Sequence, residues 1–401
     1  MNRLKATFKV VTPLFLGGAN PDERAELREP AIKAALRFWW RAVKWAEIRA
    51  RAANDRDAIE ELGRREAALF GSAEDGQSTV LLKIDRRMSK ITTVSKGNVY
   101  ASVMDATDRP GARYLAYGVM HAFPSRITHV RAGELIRTVI EKSAEVSVEI
   151  RARDHVCQEV IDAVKLLGLL GGLGSKVRKG YGSLALIDLS GDRANDWKRP
   201  TDAKSYAAQV QAHLKPALEL TNLPPFSAFF DDARVCLLLT GDDPLTVLDK
   251  YGRQMQRYRS WGHNGYVNGA RREENFPDDH GWCKGRGPSG FHPRRIVFGL
   301  PHNYGNSPTV QVSAEHHDRR ASPLWFHVHD FGDGVNPRYA GIATVFCAQF
   351  LPVGEQINAG RTPVPAYPDY NVIMDFLNGY EGPAGAKTSI RYFPAASQVF
   401  P

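Results

Sequence analysis

Gly171-Gly172-Leu173-Gly174-Ser175-Lys176-Val177-Arg178-Lys179-Gly180-Tyr181-Gly182-Ser183-Leu184 joins an apolar helical run to a strand-like run, and five glycines enclose three cations and a tyrosine. Glycine admits positive φ and close backbone approach. Exposed N–H groups in such a loop can form a concave anion site, with Lys176, Arg178 and Lys179 adding full charges beside it. The loop is too long for a dinucleotide turn, and it follows a helix instead of opening one. No Gly-Lys-Ser or Gly-Lys-Thr of a nucleotide P-loop occurs. The ligand class this leaves is a polyanion, most simply RNA.

Outward from the loop, Asp154 is positioned as N-cap for a helix over 155–170, with Val156, Val160, Ala163, Val164 and Leu167 on one apolar stripe. A strand follows at 183–189. Upstream, alternation of Leu4, Ala6, Phe8 and Val10 predicts a first strand over 4–16, ended by Thr12-Pro13 and Gly17-Gly18. Pro30 fits the first position of a helix running to Ala53, whose Ile32, Leu36, Trp39 and Val43 face a sheet. Strand candidates stand near 78–85, 91–96, 113–120 and 144–152. The order strand, helix, strands, helix, glycine loop, strand is that of a split-βαβ, ferredoxin-like α+β domain, a fold shared with many RNA-binding domains.

On the first long helix, Lys33, Arg37, Arg41 and Lys44 fall within an arc of about 80° at 100° per residue. A solvated charged face is one reading. Glutamates at four-residue spacing, usual on such faces, are absent between residues 30 and 46, so anion binding is the other. Trp39 belongs to the core stripe, whereas Trp40 and Trp45 flank it with either role open. Tyr181, between two glycines, is the leading candidate for stacking on a base.

The chain has 401 residues, 43% hydrophobic and 24% charged, with net charge +9 and pI near 9.3. That length suits two domains, and the charge favours an acidic partner. Cys157, Cys236, Cys283 and Cys347 lie far apart without a C-x-x-C, so no zinc ribbon or redox motif is visible. No signal-peptide core is present at the N-terminus, and no run reaches the about 18 apolar residues of a membrane span. A cytoplasmic protein with reduced thiols is expected.

The organisation predicted is an N-terminal ferredoxin-like domain over 1–190, a connector over 191–232 with a helix at 202–220, and a second ferredoxin-like domain over 233–401 with long loops. In the second half, strands are expected at 235–240, 296–301, 323–328 and 343–350, and helices at 244–261 and 372–377. The stretch 262–294 reads as loop. No close repeat links the halves, so the second copy rests on element order alone. Arg253, Arg257, Arg259, Arg319 and Arg320, with Arg294 and Arg295, are further cations that serve either an RNA surface or a protein contact.

Several blocks together resemble the RAMP superfamily of CRISPR proteins. Glu26-Leu27-Arg28-x-Pro30-x-Ile32-Lys33-x-Ala35-Leu36-Arg37-Phe38-Trp39-Trp40-Arg41-Ala42 is similar to a signature of the first RAMP subunit of type III-B (Cmr) effector complexes. Thr12-Pro13-Leu14 with Gly17-Gly18, Leu69-Phe70-Gly71-Ser72, the Gly172-x-Gly174-x(5)-Gly180-x-Gly182 loop and Arg319-Arg320-Ala321-Ser322-Pro323-Leu324 fit the same resemblance. It covers most of residues 1–190 and patches beyond, and departs at Ala31 and Ala34, where Ser and Gly are common. It implies a non-catalytic subunit of two ferredoxin-like RAMP domains without cofactor or metal. Its implied partners are crRNA, target RNA and other Cmr-complex RAMP subunits, with neither a membrane nor DNA as main ligand. The implied RNA-binding positions are Arg28, Lys33, Arg37, Arg41 and Lys44 on the helix motif, and Gly172, Gly174, Ser175, Lys176, Arg178, Lys179, Gly180 and Tyr181 on the loop. Arg253, Arg257, Arg259, Arg319 and Arg320 join them in the second half. Held strands are the 3′ region of the crRNA or the target paired to it, gripped through the backbone so that any guide sequence fits.

The alternative reading is a metal-independent CRISPR-repeat endoribonuclease of the same superfamily. Such cleavage needs His, or His with Lys or Tyr, as base and acid, and His263, His280, His292, His302, His316, His317, His327 and His329 crowd the second half. Their spacing around Cys283 matches no standard zinc site.

Overall fold

A computed structural model describes residues 1–18, 20, 23–74, 76–104, 108–194, 196–214, 222–260, 266–267, 270–271, 275–283, 290–304, 310–317, 319–358, 363–381 and 389–401. The alternation read in the first strand is realised in β1 (Asn2–Val10), where Leu4, Ala6, Phe8 and Val10 are buried and the intervening side chains are not. α1 (Glu29–Arg49) starts with Pro in its first turn. α2 (Asp55–Phe70) is capped by the Asn54 side chain, which accepts from the Asp57 amide. β2 (Val80–Ile84) follows, then a short helix α3 (Pro110–Leu115), β3 (Glu145–Ala152), α4 (Cys157–Leu170) and β4 (Leu184–Gly191). The sheet order is β2-β3-β1-β4, antiparallel throughout, with Phe8 opposite Val146 on one side and Leu186 on the other.

After α5 (Ala203–His213) the element order repeats: β5 (Arg234–Gly241), α6 (Pro244–Arg259), α7 (Pro277–Cys283), β6 (Leu324–Asp330), β7 (Tyr339–Val345), α8 (Asn371–Asn378) and β8 (Ser397–Phe400). The second sheet runs β6-β7-β5-β8, again antiparallel, which is the strand order of the first. Every residue of β6 and β7 is buried. Between α6 and β6 the chain contributes to a small separate sheet, His302–Tyr304 with Val310–Ala314, Gln356–Asn358 and Val364–Pro365. That sheet packs on its own cluster, including Trp282, Ile296, Val312 and Ile357.

Four local expectations are corrected. Residues 113–120 do not form a strand, because Pro110–Leu115 is helical and packs on α6. The Asp249 carboxylate of α6 accepts from the Gly111 and Ala112 amides at 2.7 and 3.3 Å, so α3 takes its N-terminal cap from the other half of the chain. Likewise 296–301 is no strand: Arg294–Phe298 is a 3₁₀ turn whose Arg294 and Arg295 amides donate to Asp279. The strand expected at 343–350 lies earlier, at Tyr339–Val345. The predicted Asp154 cap belongs to a 3₁₀ turn, Asp154–Val156, that precedes α4.

The halves share one apolar core. Trp39 of α1 is fully buried, its ring centroid 5.4 Å from that of Trp325 in β6 and 6.3 Å from that of Phe229. Polar ties cross the same seam: Lys9 pairs with the buried Asp330 at 3.0 Å, and the Val328 amide donates to Ser183 Oγ at 3.0 Å. Among the described residues no helix is long and apolar enough to cross a membrane.

Candidate nucleic-acid interface

The glycine-rich loop lies in this seam, and its backbone is committed to holding it there. The Ser175 amide donates to Phe15 O, that of Gly182 to Pro13 O and that of Leu173 to Gly182 O. Thr12 Oγ1 donates to Gly180 O at 2.6 Å and accepts from the Ser183 amide at 3.0 Å. Gly180 has φ +85°, and a Cβ there would stand 2.7 Å from Phe326 Cδ1 and 2.8 Å from Leu248 Cδ1. The expected nest of open amides is therefore corrected: Gly172, Gly174 and Gly180 serve close packing, since a Cβ on Gly172 or Gly174 would meet a carbonyl oxygen 2.4 Å away. Lys176 itself adopts φ +65°, a left-handed conformation that a non-glycine residue adopts at a cost.

What the loop delivers is charge. Lys176, Arg178 and Lys179 line a cleft of about 780 Å³ together with Arg259, Arg295, His302 and Arg320. Tyr114, Tyr117 and Phe123 line it as well. Six cations line the cleft, and among the described residues no carboxylate does. Burial pushes the Lys179 ammonium down to about 7, helped by the charges of Arg259, Lys176 and Arg178. Lys176 is lowered too, by burial and then by Arg319 and Arg137 nearby. Like charges held together in a partly desolvated site are costly until an anion enters.

The arginines are fixed by neighbours. Arg178 lies over the rings of Phe38 and Trp325, at 5.7 and 5.3 Å, and donates to Ser322 O and Ser227 Oγ. Arg295 donates to Asp279 at 2.9 Å and to Arg259 O at 2.7 Å. Arg320 donates to Gln349 O at 3.1 Å and covers Phe350. Arg259 Nη2 is 2.9 Å from His302 Nε2. A guanidinium only donates, so Nε2 is the acceptor and the imidazole is neutral, in keeping with burial holding His302 well below its ordinary range.

A second groove of about 440 Å³, between α1 and α2, shares Arg178 and Arg320 with the cleft and is lined by Arg41, Glu66, Phe38 and Phe226. Here the basic stripe is corrected. Arg37 and Arg41 both bind Glu66 of α2, which is only 4% exposed, and Lys44 pairs with Glu159 of α4 at 3.1 Å and with Glu47. Lys33 is half-buried beside Arg37, and burial lowers its pKa. Arg28 is exposed just before α1. Glu47 apart, the stripe's carboxylate partners Glu66 and Glu159 come from other helices, so spacing along α1 could not reveal them.

The stacking role expected of Tyr181 is also corrected: the ring is fully buried against Phe15, and its hydroxyl donates to Ala112 O at 2.9 Å. Its flanking glycines make room for neighbouring backbone. Trp40 and Trp45 are core as well. Of the second-half cations, Arg259 and Arg320 reach the cleft and Arg319 lies exposed near Lys176. Arg253 instead binds Asp249 and Asp108 O across the α3–α6 contact, and Arg257 packs over Tyr392. Among the histidines, His327 and His329 are buried side by side in β6, and His316 and His317 approach Glu355 on the surface. Among the described residues no His, Cys, Asp or Glu cluster fits a metal ion. His263 lies outside the described residues, as do the side chains of His280 and Cys283. The residues that sequence reasoning missed are Tyr117 and Phe123; each precedes a turn residue, Gly118 and Pro124, the one available sign of an aromatic held at a surface bend.

Residues 7–185 match the family model of the RAMP superfamily. The CRISPR system Cmr subunit Cmr1-1 of Pyrococcus furiosus is 23% identical over 351 residues, covering 82% of this chain and 83% of that one. The crystal structure of Cmr1 from Pyrococcus furiosus in its apo form superposes with a TM-score of 0.58 at 17% identity, over 100% of this chain and 99% of that one. A chain of the cryo-EM structure of the type III-B Cmr-beta complex bound to cognate target RNA gives 0.50 at 13% identity, over 94% and 98%. Residues 7–185 thus match the RAMP superfamily, and over most of its length the chain is similar to the Cmr1 subunit of a Cmr CRISPR system.

Proposed function

We propose that the protein is a non-catalytic, RNA-binding subunit of a type III-B CRISPR effector, built of two ferredoxin-like RAMP units whose seam grips the RNA backbone. The carrying observation is the cleft itself: six cations contributed by both halves, with no carboxylate lining it among the described residues. Phosphates satisfy such a site without reference to base identity, which suits a guide that changes with every spacer. The strand held is the 3′ region of the crRNA or the target paired to it. Similarity to a subunit of Cmr systems supports neighbouring RAMP subunits as the protein partners.

His302 lies in the cleft beside Lys179, the pairing a 2′-OH nuclease uses, but its Nε2 already accepts from Arg259. The test is a titration of purified protein with labelled single-stranded RNA of mixed sequence at low and moderate salt, each sample also run on a denaturing gel. Binding that weakens with salt, with the RNA intact, is expected. RNA cut in the absence of metal, and spared by His302→Ala, would replace this reading with the nuclease.

A further inference from the structure

Two large aromatic side chains stand exposed at the edge of the cationic cleft. Tyr117 is 68% and Phe123 57% exposed, and both line the cleft. Their segment meets the glycine loop directly: a Cβ built on Gly118 would lie 3.8 Å from Lys176 Nζ. Exposed rings of this size are costly in water, whereas Trp39, Tyr181 and Phe326 along the seam are buried in the core. An aromatic face beside phosphate-binding cations is what an unpaired base completes, because every base presents a π-face while its backbone follows the positive track. A duplex cannot use such rings, since its bases are already stacked inside it.

We propose that Tyr117 and Phe123 are a stacking platform, so that the cleft takes RNA as an unpaired strand, phosphates on Lys176 and Lys179 and bases on the two rings. The proposal rests on the RNA reading of the cleft and narrows it: of the strands named above, the cleft holds an unpaired crRNA segment and not the guide–target duplex. Stacking is tolerant of sequence, so the platform adds affinity without restricting the guide.

The test is fluorescence anisotropy of the full chain with three probes: a mixed-sequence single strand, the same strand with abasic sites at every position, and its duplex. The parent is expected to prefer the base-bearing strand over both others by about fivefold or more. Tyr117→Ala/Phe123→Ala should erase that preference and keep the salt dependence, while Tyr117→Phe/Phe123→Tyr restores it. Ile127→Ala, on the same segment at a side chain that is 92% exposed and does not line the cleft, should behave as the parent. Equal affinity for abasic and normal strands, preference for the duplex, or a double alanine variant that binds like the parent would overturn the platform and leave the cleft reading standing. Unchanged RNA binding with loss of assembly into the complex would overturn it in favour of a protein contact. No binding of any probe at low salt would instead overturn the cleft reading on which it rests.

Discussion

Lys179 is the residue in which fold and function meet. Its ammonium is half-buried against three other cations, and burial first, then Arg259, Lys176 and Arg178, bring its pKa down to about 7. A phosphate placed beside it favours the charged form and raises the pKa again. Below pH 7 the lysine is already protonated in the free protein, so binding takes up no proton there. Above pH 7 the free lysine loses its proton and binding must restore it, so RNA affinity falls with rising pH, by at most about tenfold per unit. Anisotropy titrations at pH 6, 7 and 8 check this. Lys179→Arg, which stays charged, should flatten the profile, and an equally steep fall in that variant would remove Lys179 from the site.

At the scale of elements, the α1–α2 contact joins charge to packing. Arg37 and Arg41 of α1 bind a Glu66 carboxylate that is 4% exposed. Removing both arginines strands a buried carboxylate, an effect of about 1–3 kcal/mol. Arg37→Ala/Arg41→Ala should therefore lower the urea midpoint clearly, whereas Lys33→Ala, with no buried carboxylate to strand, leaves it nearly unchanged. An unchanged midpoint together with lost RNA binding would return this stripe to the RNA surface. The regular elements were legible because their own residues specify them: alternation gave β1, and the apolar stripe gave α4. What was illegible depends on residues far away in the chain. α3 is capped by Asp249 and the turn at 294–298 by Asp279, and no window around 110 or 296 contains those carboxylates. Tyr181 was misread for a related reason, since Gly180 beside it answers to Phe326 and Leu248 across the seam.

For the whole molecule, the arrangement places two sheets of the same strand order side by side and leaves the cationic cleft where they meet. The glycine loop was recognisable as basic from its composition. Its partners Arg259, Arg295 and Arg320 could be named as cations, but only the folding of β6 onto the loop, with the Phe326 amide donating to Arg178 O at 3.1 Å, brings them into one cleft with Lys176 and Lys179. A cleft made by two halves has a direct electrostatic signature. The decisive measurement is the slope of log affinity against log salt for a single-stranded RNA at pH 6, in the parent and in Lys176→Ala/Lys179→Ala. Each phosphate contact on a single strand contributes about 0.7 to that slope. The account predicts a variant that remains folded, binds more weakly and shows a slope shallower by about 1.4. A variant that binds with the parent's affinity and the parent's slope would contradict it.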